Sequence, residues 1–291
     1  VLAMGQLADC DSDEIDRASR EFLTKGVRSL TDQQTRRFGL VSLAQTVANP
    51  AKDDSGVRPA VGEVLRQLAG TRNSAREWAA ISVGLIGNEA PDELSPDLVH
   101  ALKMGLEEQR GPRVSAYAIG AGLTGSEEFT EPLLKQLDKL RDDTARGYIC
   151  VALGMIGDPT AIRTIQDIIA DSTYRGALMQ DAAVGLGLLG GYESSALLVD
   201  TLVTSKSLAV RASMANALGL IGDRRSLEPL VDLLTAEQQP ALARGLAAAA
   251  LGNICSGSML PWNEPLARNI NYRAATETLT GLGGRGILDI L

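Results

Sequence analysis

Three glycine-rich strings have the spacing in this sequence that most suggests a site for chemistry. Each follows the G-x-G-x-x-G pattern of dinucleotide binding: Gly120/Gly122/Gly125, Gly185/Gly187/Gly190 and Gly281/Gly283/Gly286. Pyrophosphate binding requires such a string to follow a strand and open a helix, so that helix N–H groups meet the phosphates. The first two strings lie at the predicted carboxyl end of a helix, where the dipole disfavours phosphate, and the third lies in a turn. We therefore predict structural glycines and no bound dinucleotide.

The residues for acid–base, nucleophilic or metal chemistry are not assembled. His100 is the one histidine of the sequence, and the three cysteines, Cys10, Cys150 and Cys255, are far apart. Zinc sites need several His or Cys ligands, and a catalytic triad needs a histidine beside a nucleophile and an orienting acid. Acidic clusters fall in predicted loops or first helical turns, where capping explains them. We predict a protein that is not an enzyme and has no catalytic, metal-binding or cofactor-binding residues.

The composition favours helices and argues against nucleic acid as the ligand. Aromatic residues make up 3% of the 291 residues, and the formal net charge is −8. Sheets favour aromatic and β-branched residues, and nucleic-acid-binding surfaces are basic. No run reaches the ~18 uncharged apolar residues of a membrane-spanning helix. The chain opens on VLAMGQLAD, which reads as the middle of an element. We expect a truncated N-terminus, which leaves localisation open. The sequence does not decide the oligomeric state.

One phrase, roughly A-L-G-x-I-G-D, recurs along the chain. Its first small residue stands at Gly5, Ala44, Gly84, Gly122, Gly154, Gly187, Gly219 and Gly252, with spacings of 39, 40, 38, 32, 33, 32 and 33 residues. An arginine stands eight residues earlier in five copies, at Arg36, Arg76, Arg146, Arg211 and Arg244, and Arg113 is displaced by one. Periods of this length indicate a repeat protein.

Each repeat is predicted to form two helices. The segment after the Asp has apolar residues at i, i+3, i+4 and i+7, as in Leu227, Leu230, Val231 and Leu234. This pattern is typical of an amphipathic helix. The second helix runs from the arginine to the glycine pair, as in residues 210–222. One pair of helices cannot bury its apolar face alone, so the pairs must stack. We predict an all-α solenoid of about seven to eight helical hairpins.

These features resemble the HEAT-like repeats of the phycobilin-lyase type. The resemblance rests on the A-L-G-x-I-G-D phrase with an arginine eight residues earlier, covers residues 1–256 and is strongest over residues 76–256. It implies a right-handed α-α superhelix, a HEAT/armadillo-like solenoid, whose first repeat is truncated. It is not specific for function, because such repeats occur in scaffolds, chaperone-like factors, lyase subunits and a few enzymes.

The repeated charges are interpreted as structural. An arginine in each second helix can pair with the Asp or Asn of a neighbouring turn, and such pairs would form a ladder along the stack. Catalytic residues do not usually recur once per repeat. The predicted ladder comprises Arg76, Arg146, Arg211, Arg244, Asp158 and Asp223.

The second helices also carry apolar residues away from the predicted stacking core. With the arginine position counted as zero, positions three, six, seven and ten form that core, and positions two, five and nine form what we call the distal face. The residues predicted to contact a partner there are Phe38, Trp78, Ile81, Tyr148, Val151 and Met155. Either the distal face lines a concave binding groove, or tight curvature buries it inside the chain, or the assignment of faces is off by one residue. Periodicity does not decide among these.

Residues 257–291 break the repeat. Residues 256–269 contain two prolines and Trp262, a further helix is predicted after them, and the chain ends in the apolar sequence ILDIL. Solenoids need caps at their exposed ends. We therefore predict an irregular segment and a capping helix that cover the last repeat.

The sequence thus predicts a non-catalytic scaffold or adaptor that holds a protein partner or peptide segment along the concave face. The alternative is a lyase- or chaperone-type subunit that binds an apolar prosthetic group, such as a bilin, in the same groove. Metal-dependent hydroxylases that share the repeat need His-Glu pairs, and they are excluded because Ala101 follows His100.

Overall fold

The computed structural model of the chain describes residues 2–8, 13–29, 31–48, 54–70, 75–172, 174–190 and 192–256. These residues form α-helices joined by short turns, and they contain no strand. The all-α prediction is confirmed. The predicted C-terminal irregular segment and capping helix lie outside the described residues.

Two compact units divide the chain between Gln136 and Leu137. The described helices are α1 (Leu2–Leu7), α2 (Glu14–Ser29), α3 (Gln33–Ala48), α4 (Asp54–Ala69), α5 (Arg76–Glu89), α6 (Pro96–Glu108), α7 (Val114–Leu123), α8 (Thr130–Lys139), α9 (Asp143–Ile156), α10 (Ile162–Asp171), α11 (Gly176–Leu189), α12 (Ser195–Thr204), α13 (Leu208–Ile221), α14 (Leu227–Thr235) and α15 (Ala241–Ser256). Even-numbered helices are the first helices of the repeats, and odd-numbered helices are the second.

Within each unit the helices form hairpins that stack in two layers. In the first unit α2 packs on α3, α4 on α5 and α6 on α7, and in the second unit α10 packs on α11, α12 on α13 and α14 on α15. The second helices also pack on one another in chain order, α1 to α7 in the first unit and α9 to α15 in the second. Helical hairpins stacked in chain order form a solenoid, as predicted.

The repeat phrase falls in the second helices, from Gly5 in α1 to Gly252 in α15. Part of the longer spacings in the first half lies in the first helices. The first helices α2 and α4 have 16 residues each, whereas α10 and α12 have 10 each and are preceded by a 3-10 turn of three residues.

Caps at both ends of the helices follow the predicted pattern. The Asp158 side chain accepts a hydrogen bond from the Thr160 N–H at 2.9 Å, and the Asp223 side chain accepts one from the Arg225 N–H at 3.0 Å. Each carboxylate satisfies an N–H of the short 3-10 turn that leads into a first helix, Pro159–Ala161 before α10 and Arg224–Ser226 before α14. Gly222 ends α13 with a φ of 69°, a left-handed conformation that glycine adopts without strain.

Glycine lets adjacent second helices pack with their backbones in contact. A Cβ atom at Gly84 of α5 would lie 2.5 Å from the Gly120 carbonyl oxygen of α7. In the second unit, a Cβ atom at Gly154 of α9 would lie 2.7 Å from the Gly185 Cα of α11. No larger residue fits at such contacts. Helix packing thus requires the small residue at Gly84 and Gly154, whereas a Cβ atom at Gly252 of the last helix, α15, would meet no neighbour within 4 Å.

A buried carboxylate links α2 and α4, the first helices of two consecutive repeats. Glu63 of α4 has no exposed side-chain area and accepts hydrogen bonds from Arg28 Nε of α2 at 2.9 Å, and from Arg66 and Gln67. The hydrogen bond with Glu63, and its charge, raise the pKa of Arg28. Burying a carboxylate without partners would cost several kcal/mol. These partners allow the charge to remain between α2 and α4.

Candidate functional site

The geometry of α7 shows on which side of that helix position five of the distal face lies. Tyr117, at position three of α7, packs against Gly105 of α6: a Cβ atom on that glycine would overlap the tyrosine ring. Ile119 stands two residues later, about 200° round the helix axis at 3.6 residues per turn. Position five of α7 therefore faces away from α6.

Most of the predicted partner-contact residues are buried. Trp78, Ile81, Tyr148 and Val151 have exposed fractions of 2%, 1%, 1% and 1%. Phe38 and Met155 are half-buried. Phe38 packs edge-on against Trp78, with 5.7 Å between ring centroids and 72° between ring planes. At the four buried positions the structure matches the interpretation in which the chain itself covers the face.

The distal face opens to solvent toward the end of the second unit. At position five, Val151 of α9 is buried, Val184 of α11 is half-buried, and Asn216 of α13 and Ala249 of α15 are exposed. Leu188, one turn after Val184, is also half-buried. The residue type changes from aliphatic to polar or small as exposure rises. An apolar surface next to solvent is thus present on α9 and α11.

The partner-contact prediction missed Val184 and Leu188. Both stand at distal-face positions of α11, and both are apolar. The sequence marks them only in part: position five is Asn216 in α13 and position nine is Asn253 in α15, whereas position nine of α13 is still the apolar Leu220. Where a row of buried apolar residues ends, the last apolar residue of the row is expected to expose part of its surface.

The repeated arginines contact main-chain carbonyl groups. Nε of Arg76 donates to the Leu68 carbonyl oxygen at 3.0 Å, and Nε of Arg244 donates to the Leu234 carbonyl oxygen at 2.8 Å. Each acceptor lies in the last turn of the first helix of the same hairpin, where carbonyl groups lack an intrahelical partner. A cation is also favourable at this end of the helix dipole.

Arg211 makes the same contact in the second unit. Its Nε donates to the Ser205 carbonyl oxygen at 2.6 Å, and its Nη2 donates to the Val203 carbonyl oxygen at 3.3 Å, both at the end of α12. At Arg211 and Arg244 the structure thus shows a helix cap within one hairpin. Arg76 combines such a cap with an ion pair to the next hairpin, since its Nη2 lies 3.5 Å from Glu108 Oε2 of α6. The amino-acid sequence alone does not reveal the capping contacts, because their acceptors are backbone atoms. The carboxylates of Asp158 and Asp223, which the predicted ladder also includes, accept hydrogen bonds from backbone N–H groups.

Ion pairs between repeats do occur, but their acidic residues are not the ones named in the predicted ladder. Arg113 Nε lies 3.5 Å from Glu77 Oε1, which joins the starts of α7 and α5. Arg175 Nη1 lies 3.4 Å from Asp143 Oδ1, which joins the starts of α11 and α9. Both arginines are more than half exposed, so each pair contributes little, about 0–1 kcal/mol.

Arg146 differs from the other repeated arginines. Its Nε is buried, and no described residue accepts a hydrogen bond from it. It lines a cleft of about 480 Å³ in the second unit, together with Arg175 and the carboxylates of Asp138, Asp167 and Asp171. The lining carries charges of both signs, so it selects neither an anion nor a cation. We assign no ligand to this cleft.

Replacing Arg211 with methionine is expected to lower the free energy of unfolding by about 1–2 kcal/mol, since hydrogen bonds from a charged donor are lost at the end of α12. Methionine keeps the apolar stem of the side chain, so the change isolates the cap. Chemical denaturation measures the effect. The exposed Arg163 serves as the control, and Arg163→Met should change stability by less than about 0.5 kcal/mol. Equal stability of the two variants would contradict the capping role.

The other residues considered for metal or nucleophilic chemistry lie apart in the described part of the chain. Among the described residues, no three His, Cys, Asp or Glu side chains come together as metal ligands. His100 is exposed, and complete burial raises the pKa of the Cys150 thiol to about 12, which keeps it protonated and unreactive. The first two G-x-G-x-x-G strings lie at the carboxyl ends of α7 and α11, as predicted, and the third is outside the described residues. None of the described helices is both long and apolar enough to cross a membrane.

Two solved structures similar to this chain are engineered proteins from the Northeast Structural Genomics Consortium. One has 17% sequence identity and a TM-score of 0.44, and the match covers 88% of this chain and 73% of that chain. The other has 20% identity and a TM-score of 0.38, and the match covers 82% of this chain and 97% of that chain. The curated proteins contain no match to the sequence.

A family model for HEAT repeats matches residues 177–252. The match does not distinguish the phycobilin-lyase type from other HEAT repeats. It spans α11 to α15, and the same two-helix unit forms the hairpins of the first unit. Residues 177–252 are thus similar to HEAT repeats, and they lie in a chain whose described helices form stacked hairpins.

Proposed function

We propose that this chain is a non-catalytic scaffold that binds a segment of a partner protein on the accessible part of the distal face. HEAT repeats are protein-interaction scaffolds in general, and folds of this kind are typically non-catalytic. The observation that carries the proposal is the half-buried apolar surface formed by Met155 of α9 and by Val184 and Leu188 of α11. We call these three residues the apolar strip.

The packing of α9 on α11 supports this proposal. The two helices approach closely at Gly154 and Gly185, which brings their distal faces together. Met155 directly follows Gly154, and Leu188 lies one turn after Gly185. Apolar side chains held on adjacent rigid helices provide a preformed surface, and partners gain most binding energy from a few such apolar anchors.

The buried residues of the distal face have a supporting role in this proposal. Tyr148 and Val151 precede Met155 on the same side of α9 and are covered by the chain. A side chain without exposed area offers nothing to a partner unless it leaves the core. We therefore infer that these residues fix the position of α9, and that partner contact falls on the apolar strip.

The experiment compares affinity capture from a lysate of the source cell by the parent chain and by a Val184→Glu/Leu188→Glu variant. Two carboxylates in the apolar strip should weaken the binding of an apolar segment at least tenfold, which corresponds to a loss of about 1.4 kcal/mol in binding free energy. The control is Val231→Glu on the first helix α14, where Val231 is 45% exposed. A protein captured by the parent and the control, and lost with the double variant, supports the proposal. Identical captured proteins with all three chains would contradict it.

A further inference from the structure

Next to the apolar strip, the distal face of the second unit presents two asparagines. Asn216, at position five of α13, and Asn253, at position nine of α15, are both exposed. A Cβ atom at Gly219 of α13 would lie 2.7 Å from Asn253 Cβ and 3.0 Å from Asn253 Nδ2. The Asn253 side chain therefore packs on α13 at Gly219, which stands about one turn after Asn216. The two asparagines thus belong to one patch of the surface.

The distal face of the second unit is almost free of charge. Among the residues at positions two, five and nine of α9, α11, α13 and α15, Asp181 alone is charged, and it is 7% exposed. The chain as a whole is 22% charged. A charged side chain laid on this face would lose contact with water and meet no opposite charge in return. The face therefore favours a segment without charged residues.

The asparagines distinguish an extended segment from a helical one. A side-chain amide offers one carbonyl acceptor and two N–H donors, which match the two polar groups of a peptide unit. An extended segment has backbone N–H and C=O groups that need partners, whereas a helix pairs these groups internally. No described residue hydrogen-bonds to the side chains of Asn216 and Asn253. Their amide groups are therefore available to the main chain of an extended segment.

We propose that the partner segment on the distal face of the second unit is uncharged and extended, with its main chain hydrogen-bonded to Asn216 and Asn253 and an apolar side chain on the apolar strip. This inference rests on the proposed function and names the kind of segment that is bound. The helices α9, α11, α13 and α15 pack on one another in that order. Neighbouring helices are about 8–10 Å apart, so the path from α9 to α15 is roughly 24–30 Å. An extended chain rises about 3.3 Å per residue, so about 7–9 residues cover that path.

Replacing both asparagines with leucine separates hydrogen bonding from apolar contact. Leucine is similar in size to asparagine but has no polar group. If the face bound a segment through apolar contact alone, the Asn216→Leu/Asn253→Leu variant would bind more tightly than the parent chain. Loss of a hydrogen bond instead weakens binding by about fivefold for each asparagine, so the double variant should bind at least tenfold more weakly. The matched control is Asn88→Leu, because Asn88 is also exposed but lies in α5 of the first unit.

The probe is a random library of 12-residue peptides displayed on phage and selected on the full chain. Peptides that the Val184→Glu/Leu188→Glu variant does not bind are retained and synthesised. We expect them to contain about 7–9 consecutive residues without charge. We also expect them to bind Asn216→Leu/Asn253→Leu at least tenfold more weakly than the parent, and Asn88→Leu as tightly as the parent. Replacing single peptide residues with the helix-favouring α-aminoisobutyric acid should weaken binding. Circular dichroism should show unchanged helix content in the asparagine variants, since all three asparagines are exposed.

The outcomes separate this inference from the proposed function. If the retained peptides bind Asn216→Leu/Asn253→Leu as tightly as the parent, or more tightly, the inference is overturned and the proposed function stands. The same holds if α-aminoisobutyric acid strengthens their binding, since the segment is then helical. If no selected peptide depends on Val184 and Leu188, the proposed function fails and this inference fails with it.

Discussion

Replacing Trp78 with alanine is expected to lower the free energy of unfolding by about 3–5 kcal/mol, as for other fully buried aromatic residues. Trp78 is 2% exposed and packs edge-on against Phe38, so its removal leaves a cavity between α3 and α5. Chemical denaturation followed by circular dichroism measures the effect. The aromatic control is Tyr174, which is 99% exposed, and Tyr174→Ala should change stability by less than about 0.5 kcal/mol.

This prediction also separates the two interpretations of the distal face. A tryptophan that served only to contact a partner would tolerate alanine in the isolated chain and would lose only partner binding. A large loss of stability without any partner shows that Trp78 belongs to the core. A Trp78→Ala variant as stable as Tyr174→Ala would contradict the burial described here.

Replacing Gly185 with alanine is expected to lower the free energy of unfolding by roughly 3 kcal/mol, at the upper end of overpacking effects. A Cβ atom there would lie within 3.0 Å of the Cys150 carbonyl oxygen of α9. The obstacle is backbone, which cannot rotate away as a side chain can, so α9 and α11 must move apart. The thermal unfolding midpoint and the denaturation midpoint should both fall.

The matched control is Gly245, which lies inside the second helix α15 with no atom within 4 Å of a Cβ built there. Alanine stabilises an open helical site by about 0.5–1 kcal/mol relative to glycine, so Gly245→Ala should raise stability. The same chemical change is therefore expected to have opposite signs in two second helices. If both variants gained stability, the close approach of α9 and α11 would be wrong.

The repeat and its helices could be predicted because they depend on residues that recur in register. Gly84 and Gly154 stand at the same position of their repeats, and both contact the next second helix through its backbone. Such a requirement keeps a small residue at a fixed spacing along the chain. That spacing can be recognised from a single sequence. The Asp and Gly caps are visible for the same reason, since each satisfies the backbone at a helix end with a particular residue type.

The covering of the distal face could not be predicted from periodicity. An aliphatic residue such as Ile81 has the same place in the pattern whether solvent, a partner or the chain itself lies above it. The partners of Arg76 and Arg244 were also hidden, because their acceptors are the carbonyl groups of Leu68 and Leu234. Every residue type carries a carbonyl group, so the sequence marks the donor and not the acceptor.

The central claim is that a partner segment lies on the apolar strip of α9 and α11. The most direct test places a photo-crosslinking amino acid at Leu188 in the source cell and, in a separate strain, at Val231, which is 45% exposed on α14. We predict that irradiation joins the chain to another protein from position 188 and not from position 231. Crosslinking from position 231 alone, or from neither position, would contradict the claim.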